Sequence, residues 1–247
     1  MQLHMGPAGD GDEAIELALA HALVRRASAG EVSEVLRVYR PAAPVVVFGR
    51  RDTRLPGFAA AARAASAAGF EPLVRATGGR AVAYTSEALV VDHVRHEPQP
   101  TAGHDRRFEE YGERLAATFR DLGLDARVGA VPGEYCPGAH SVNARGIVKL
   151  VGTAQRVVRD AWLFSSLVVV GDEGRLRPVL AEVYGHLGLP FDVGSVGSLS
   201  AEQPLLTVED VEDAVLTAYA TSPWLADDLA PETRERAREL VDQHRVA

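Results

Sequence analysis

Residues 147–170 read IVKLVGTAQRVVRDAWLFSSLVVV, which is two apolar runs on either side of a short polar turn. Runs rich in Val, Ile, Leu and aromatic residues with a turn between them are typical of strands, so we predict strands at 147–158 and 162–170. The link VVRDA is too short for a crossover helix, so the two strands are expected to be antiparallel. An antiparallel pair in a chain that also contains helices indicates an α+β fold.

Outward from this pair, helical spacing of apolar residues alternates with short β-rich runs. The predicted fold is α+β, a mixed, largely antiparallel sheet flanked by helices. We expect one main domain at 1–190 and a helical C-terminal extension at 191–247 that packs on it. The further elements that we predict are helices at 12–28, 58–68, 106–121, 177–188, 207–221 and 231–243, and strands at 35–39, 45–48, 70–75, 81–84, 88–94 and 125–129.

Composition excludes several classes of protein. The formal net charge is −8, which disfavours a broad nucleic-acid surface. The longest apolar runs, such as 163–170, are far shorter than a membrane span, and the N-terminus lacks the basic and apolar regions of a secretory signal. One cysteine excludes an internal disulfide, and no Cys/His cluster has metal-ligand spacing, so no metal site is predicted. We therefore expect a cytoplasmic protein.

Lys149 is the only lysine among the 26 lysine and arginine residues of the chain. A lysine kept in a chain so rich in arginine suggests a site that needs a compact ammonium group, because the two residues are not interchangeable there. The alternative is a chance surface residue. The apolar neighbours Ile147, Val148, Leu150 and Val151 weigh against that alternative.

The segment Arg75-Ala76-Thr77-Gly78-Gly79-Arg80-Ala81-Val82 follows a predicted strand. Two consecutive glycines allow the backbone to approach a ligand closely, and free N–H groups there can bind an anion. An ordinary hairpin turn would have the same sequence, and on its own that alternative is favoured. The glycine spacing matches neither a P-loop nor a dinucleotide-binding fingerprint.

Cys136 lies in the Gly- and Pro-rich loop GEYCPGAHSVN at 133–143. A cysteine acts as a nucleophile through its thiolate, and a nearby cation such as Lys149 or His140 would lower the thiol pKa. The alternative is an inert, packed cysteine.

The segment KLVGTAQ at 149–155 is predicted to be a strand. Its small residues Gly152 and Ala154 would let a ligand lie across it, although a strand with a bulge at Gly152 fits equally. The only cysteine and the only lysine therefore lie thirteen positions apart, on a loop and on the strand that follows it.

Together these segments resemble the biotin/lipoate protein ligase superfamily, in its lipoate–protein ligase and octanoyltransferase branch. The glycine segment matches the form R-x-(T/S)-G-G-(R/G)-A-V, and 149–155 matches K-x-x-G-(S/T)-A-Q. Phe48-Gly49-Arg50 matches an early strand that ends in Gly-Arg. The resemblance runs over residues 12–188. It implies a class II synthetase-like sheet with the acyl group bound between the glycine segment and the lysine strand.

The resemblance also implies roles for individual residues. Lys149 would donate a hydrogen bond to the acyl carbonyl, Cys136 would be the nucleophile, and Val82 and Val151 would contact the acyl tail. Tyr84 stands where the family often has His, and Ser165-Ser166 where it often has His-Gly. The substrate-binding residues carried over by the motifs are Arg75, Thr77, Gly78, Gly79, Arg80, Ala81, Val82, Tyr84, Gly152, Thr153, Ala154 and Gln155.

Two chemistries occur in this branch. Arg80 after Gly79, Gln155 at the end of the lysine motif and Cys136 before it favour an octanoyltransferase, which needs no cofactor. The donor would be an acyl carrier protein and the acceptor a lysine of a lipoyl-domain protein, docked on a local arginine surface at Arg50, Arg51 and Arg54.

Alternatives remain open at this point. One is an ATP- and Mg²⁺-dependent ligase that uses free lipoate and Lys149, with Glu87, Asp92 and Asn143 as polar groups near the nucleotide. We expect solvated surface positions for those three residues and for His93 and His96. Another alternative is a non-catalytic acyl-binding protein. A biotin ligase is disfavoured because the arginine- and glycine-rich biotin loop is absent.

Overall fold

Two β-sheets face each other in the protein, whose computed structural model describes residues 1–220 and 223–246. The helices are α1 (Glu13–Ser28), α2 (Phe58–Ala67), α3 (His104–Asp121), α4 (Glu173–Leu187), α5 (Leu199–Glu202), α6 (Val208–Tyr219) and α7 (Pro231–Leu240). The strands are β1 (Gln2–Met5), β2 (Glu34–Tyr39), β3 (Val45–Phe48), β4 (Glu71–Val74), β5 (Val82–Tyr84), β6 (Ala88–His96), β7 (Ala126–Val128), β8 (Val142–Ala144), β9 (Val148–Val158), β10 (Ala161–Val169) and β11 (Leu225–Ala226).

The larger sheet has the strand order β11-β1-β2-β6-β10-β9-β8-β7 among the described residues. Strands β9 and β10 pair antiparallel, with Ala161 opposite Val158 and Val168 opposite Val151. The sheet is mixed because β1 runs parallel to both β2 and β11. The smaller sheet has the order β4-β3-β5, with β3 parallel to β4. The predicted α+β class and the predicted antiparallel pair are confirmed.

Alternation along the strands gives the large sheet two apolar faces, as expected where both sides are covered. Val38, Val91 and Phe164 belong to the face that packs with residues of α3 and α6. Tyr39, Val90 and Leu167 belong to the opposite face, which packs with the small sheet and α4. The space between the two sheets is therefore the place where a buried ligand can be enclosed.

Several element bounds differ from the predictions. Strands β1 and β11 were not predicted, because neither QLHM nor LA has a run long enough to show alternation. The short strand β8 begins inside the loop predicted at 133–143. Helix α4 begins at Glu173 rather than 177, since it accepts Pro178 in its interior at the loss of one hydrogen bond. The last residue of the predicted helix 207–221 lies outside the described residues.

The C-terminal segment contacts the main body of the fold. Helix α7 packs along α1. Arg245 forms an antiparallel bridge with Leu73 of β4, and the N–H of Val74 donates to the carbonyl of His244 at 2.8 Å. A division into domains at 190/191 stays a prediction. Among the described residues, no helix is long and apolar enough to cross a membrane.

Candidate active site

Cys136 lies in the loop between β7 and β8, with its side chain half-buried. Its φ is +43°, a left-handed conformation that is uncommon for a residue other than glycine. Such strain persists only where the surroundings fix the backbone, and it is frequent at functional sites. The loop thus presents the only thiol of the chain from a constrained position.

Two donors of the glycine segment contact the sulfur of Cys136. The backbone N–H of Arg80 donates at 3.1 Å, and Nη2 of Arg75 lies 3.4 Å away. Burial raises the pKa of the thiol, but the nearby charges of Arg75 and Lys149 and these hydrogen bonds outweigh burial and lower it. The predicted lowering of the Cys136 pKa by a cation therefore comes from Arg75 and Lys149. Cys136 is placed to react as a thiolate.

Lys149, on β9, is 1% exposed and contacts the loop between β7 and β8, which we call the cysteine loop. Its ammonium donates to the carbonyl oxygens of Tyr135 at 3.0 Å and Cys136 at 2.8 Å. It also forms a buried ion pair of 3.0 Å with Glu134. Two N–H bonds of the ammonium group are therefore donated to loop carbonyls, and its charge is balanced by the Glu134 carboxylate. Sequence reasoning did not find Glu134, which precedes Cys136 by two residues and carries no motif.

The glycine segment is tied closely to the end of β3. Gly79 has φ +105°, and a Cβ there would lie 2.7 Å from the sulfur of Cys136. A Cβ at Gly49 would collide with the carbonyl oxygen of Gly79. The buried carboxylate of Asp52 accepts from the N–H of Gly49 and from Nη1 of Arg80, each at 3.0 Å. Arg80 therefore turns its side chain to Asp52 and its backbone N–H to the thiol.

Tyr184 of α4 connects the cysteine loop with the glycine segment. Its hydroxyl accepts from the N–H of Cys136 at 2.6 Å and donates to the carbonyl of Ala81 at 2.9 Å. Neither Tyr184 nor Asp52 was predicted. Only the folded chain brings Tyr184, from a helix late in the sequence, into this position.

An open space of about 340 Å³ lies in front of the thiol, and we call it the outer cleft. Gln155 at its wall accepts from Nε of Arg107 at 3.0 Å and donates to the carbonyl of His104 at 2.8 Å, so it supports the wall. Gly152 is only partly buried and does not line this space. The predicted residues that line the outer cleft are Gly78, Gly79, Cys136, Lys149, Thr153, Ala154 and Gln155. The other lining residues are His104, Phe108 and residues 137–141.

A second space of about 50 Å³ lies between the two sheets, and we call it the inner cavity. Of the predicted residues, Arg75, Thr77, Val82 and Tyr84 line it. The predicted contact of Val151 with the acyl tail is wrong, because Val151 belongs to the core on the opposite face of the large sheet. The other lining residues are Leu17, Ala20, His21, Tyr39, Val47, Ala76, Val90, Asp92, Leu163, Ser165 and Leu167.

The surface positions predicted for several polar residues are wrong. Asp92, His93 and Asn143 are buried. Asn143 donates to the carbonyl of Gly129 and accepts from the N–H of Gly146, and so it shapes the cysteine loop. Glu87 is exposed, as predicted.

These positions bear on nucleotide binding. Asp92 and Asn143 already have protein partners, and Glu87 lines neither space. The described residues contain no cluster of His, Cys, Asp and Glu side chains suited to a metal ion. Two of the three polar groups suggested for ATP and Mg²⁺ are therefore already engaged by protein groups.

Comparison with known families bears on this arrangement of thiol, lysine and glycine segment. A profile of the lipoyl protein ligase A/B catalytic domain matches residues 12–220. The chain belongs to this family. Membership in the lipoyl ligase A/B family confirms the predicted branch.

Two relatives similar to this chain have the same name. The octanoyl-[GcvH]:protein N-octanoyltransferase of Geobacillus kaustophilus is 29% identical over 187 residues, which are 76% of this chain and 65% of that enzyme. The chain thus spans slightly less than two thirds of that relative. The enzyme of the same name from Exiguobacterium sp. is 28% identical over 218 residues, covering 78% of this chain and 76% of that one.

Solved structures of lipoate protein ligases share the fold. A lipoate-protein ligase A bound with ATP superposes with a TM-score of 0.73 at 21% identity, covering 98% of this chain and 95% of that one. A bipartite lipoate protein ligase from Thermoplasma acidophilum superposes with a TM-score of 0.71 at 20% identity, covering 98% and 92%. At these identities the likeness concerns the fold.

Proposed function

We propose that this chain transfers an octanoyl or lipoyl group to a lysine of a lipoyl-domain protein, through a thioester on Cys136. One observation carries the proposal: the Cys136 sulfur faces the outer cleft while it contacts the Arg80 N–H and the Arg75 guanidinium. Fixed donors around a thiol stabilise the thiolate, and they also stabilise charge that develops near it during acyl transfer.

The first step is acylation of the enzyme. The Cys136 thiolate attacks the acyl carbonyl of the donor and forms a C–S bond. The bond from that carbon to the donor's carrier group breaks, and the carrier leaves with the electron pair and takes up a proton. Arg75 and the Arg80 N–H, which contact the thiolate before the reaction, stay beside the reacting carbon.

The second step passes the acyl group to the acceptor. The neutral amine of an acceptor lysine attacks the Cys136 thioester and loses a proton, an amide bond forms, and the thiolate is restored. Lys149 holds the loop carbonyls of Tyr135 and Cys136 throughout, so that the thiol stays in place. In this arrangement Lys149 acts by position and charge.

The identity of the donor is the finer part of the proposal. An acyl carrier protein thioester is the donor expected from the resemblance. The names of the relatives instead specify an octanoyl group carried by GcvH. Both donors lead to the same Cys136 thioester, so the mechanism is shared and an experiment can separate them.

The acceptor would dock beside the glycine segment. Arg50, Arg51 and Arg54 are exposed, and they follow Gly49, which packs against Gly79. Three cations next to the site favour an acidic protein surface despite the acidic net charge of the chain.

The test is the intact mass of a lipoyl domain after incubation with the protein. The first arm supplies an octanoyl acyl carrier protein, the second supplies octanoylated GcvH, and the third supplies free octanoate or lipoate with ATP and Mg²⁺. Acylation in either of the first two arms, abolished by Cys136→Ser, is the expected result and identifies the donor. Acylation only in the third arm, unaffected by Cys136→Ser, would replace this proposal with the ATP-dependent ligase. Lys149→Arg is expected to stop transfer in every arm.

A further inference from the structure

The second step of the proposed reaction needs a group that accepts a proton. The attacking nitrogen has two protons as a neutral amine and one as an amide, so one proton has to leave as the C–N bond forms. A base within hydrogen-bond reach of that nitrogen speeds such a step by about 10²–10⁴-fold. The acceptor amine reaches Cys136 through the outer cleft, so the base should be among the side chains that line this cleft.

Within the described part of the chain, the titratable side chains that line the outer cleft are those of His104, Cys136, His140 and Lys149. Cys136 carries the acyl group at this stage of the reaction. Lys149 is 1% exposed, pairs with the Glu134 carboxylate at 3.0 Å and donates to two loop carbonyls. Its nitrogen thus serves as a donor and not as a base, which leaves the two histidines.

His140 belongs to the cysteine loop and lies four positions after Cys136. The loop is tightened around these two residues by hydrogen bonds. Oε1 of Glu134 accepts from the N–H of Gly138 at 3.1 Å, and the carbonyl of Gly138 accepts from the N–H of Ser141 at 3.3 Å. His140 lies within the second of these turns, so one compact segment presents both its ring and the thiol to the cleft.

Phe108 of α3 orients the ring of His140. The two rings are nearly parallel, with an angle of 12° and a centroid distance of 5.8 Å. Phe108 in turn packs edge-on against Phe164 of β10, with centroids 5.3 Å apart. Stacking engages the face of the His140 ring and leaves its edge, where both nitrogens lie, to other partners. The ring is therefore held in place in a way that suits proton transfer at its edge.

His104 is less firmly placed relative to the thiol. It is the first residue of α3, outside the cysteine loop, and its side chain is 47% exposed. Its Nδ1 contacts the carboxylate of Asp105 at 2.8 Å, and its ring meets Phe108 edge-on, with centroids 5.3 Å apart. The geometry therefore favours His140 over His104.

We propose that His140 is the general base that receives the proton of the acceptor amine when the amine attacks the Cys136 thioester. The amine nitrogen forms the C–N bond, and its proton passes to a ring nitrogen of His140. The C–S bond breaks, and its electron pair returns to the sulfur of Cys136. The protonated His140 then gives the proton to solvent. This inference rests on the proposed function, since it assigns a residue to the second step of that reaction.

The experiment measures the two steps of the reaction separately. Octanoyl-pantetheine is used to acylate the wild-type protein and the His140→Gln variant, and acylation is followed by intact mass. Each isolated octanoyl-enzyme is then mixed with a lipoyl domain, and transfer is measured in a single turnover. We expect His140→Gln to slow transfer about hundredfold while the rate of acylation changes by less than about threefold.

Two further measurements distinguish a base from a residue that only shapes the loop. Hydroxylamine, a small nucleophile that is neutral at pH 7, should release octanoyl from the wild-type and His140→Gln enzymes at similar rates. In His140→Ala, added imidazole should restore part of the transfer rate, because a free base can enter the space that the ring leaves. His186→Gln, at an exposed position that does not line the cleft, is the control and should change neither step.

The outcomes keep this inference apart from the proposed function. Transfer at the wild-type rate in His140→Gln, or a larger loss in His104→Gln than in His140→Gln, would overturn the assignment while the Cys136 thioester stands. Equal losses of acylation and transfer in His140→Gln would also overturn it, and would make His140 a residue that shapes the cysteine loop. A wild-type protein that forms no octanoyl thioester on Cys136 would remove the proposed mechanism, and this inference with it.

Discussion

The backbone N–H of Arg80 points at the sulfur of Cys136 from 3.1 Å, across a gap of 56 positions in the chain. The contact depends on Gly79, whose left-handed backbone turns the N–H toward the thiol. Arg80 thus contacts the thiol through its backbone N–H, while its side chain binds Asp52.

The first prediction concerns the pKa of Cys136. A lowered thiol pKa means that the thiolate forms at a lower pH than in a free cysteine, whose pKa is about 8.5. The pH midpoint of iodoacetamide alkylation should therefore lie below that of free cysteine. Arg75→Gln should move the midpoint upward, because it removes the largest of the charges that oppose burial. Arg159→Gln, at an exposed position, should leave it in place, and an unmoved midpoint in Arg75→Gln would contradict the assignment.

The second prediction concerns Gly79. Gly79→Ala puts a Cβ 2.7 Å from the Cys136 sulfur and strains a backbone at φ +105°. We expect acyl-enzyme formation to fall by about two orders of magnitude, because a small displacement of reacting groups is costly. Gly78→Ala is the matched variant, since its Cβ would meet no atom within 4 Å, and it should lose much less. Equal losses in the two variants would show that the clash with the thiol is unimportant.

The third prediction concerns the buried pair of Lys149 and Glu134. Glu134→Gln leaves the ammonium without its counter-charge, and we expect a loss of about 3 kcal/mol in the free energy of unfolding, measured in urea. The double variant Glu134→Gln/Lys149→Met should recover part of that loss, since no charge is left unpaired. Glu239→Gln, which breaks an exposed pair, should leave the stability unchanged. The single variant Lys149→Met is measured as well. If the loss of stability in the double variant equals the sum of the losses in Glu134→Gln and Lys149→Met, the pair is not coupled.

The fourth prediction concerns the C-terminal segment, which we propose positions the glycine segment. The Nδ1–H of His244 donates to the carbonyl of Val74 at 2.8 Å, while the His244 carbonyl accepts the Val74 N–H. Burial lowers the pKa of His244 to about 4, so it is neutral at ordinary pH. His244→Ala should speed hydrogen exchange at residues 74–80 and slow Cys136 alkylation. His186→Ala, at an exposed helical position, should change neither. Unchanged exchange at 74–80 in His244→Ala would show that the segment does not position this loop.

Local patterns predict much of the candidate site from the sequence. The glycine segment and the lysine strand are contiguous in sequence, so spacing and composition reveal them, and β9 and β10 lie within one residue of their predicted starts. The partners of these segments could not be found in this way. Arg37 and Asp92 are 55 positions apart, and they meet only because β2 and β6 pair in one register. Alternation of apolar residues predicts a strand but not the register in which it pairs. The partner of Asp92 could therefore not be found from the sequence, and a surface position was predicted for Asp92.

The same limit applies to the supporting residues. Tyr184 and Asp52 form hydrogen bonds with backbone groups that are distant in sequence or lie in a turn. Such contacts produce no periodic pattern of residue types, so the sequence does not reveal them. Glu134 could be suspected only once Lys149 is known to be buried, since a buried ammonium group needs a counter-charge.

Burial of Lys149 has a consequence for an enzyme that would deliver acyl groups to lysine amines. The only lysine of the chain is enclosed, with two carbonyl acceptors and the carboxylate of Glu134 around its ammonium group. No side-chain amine on the surface can therefore compete with the acceptor protein for the group on Cys136. An acyl group on the thiol is therefore not lost to a surface lysine of the chain that carries it.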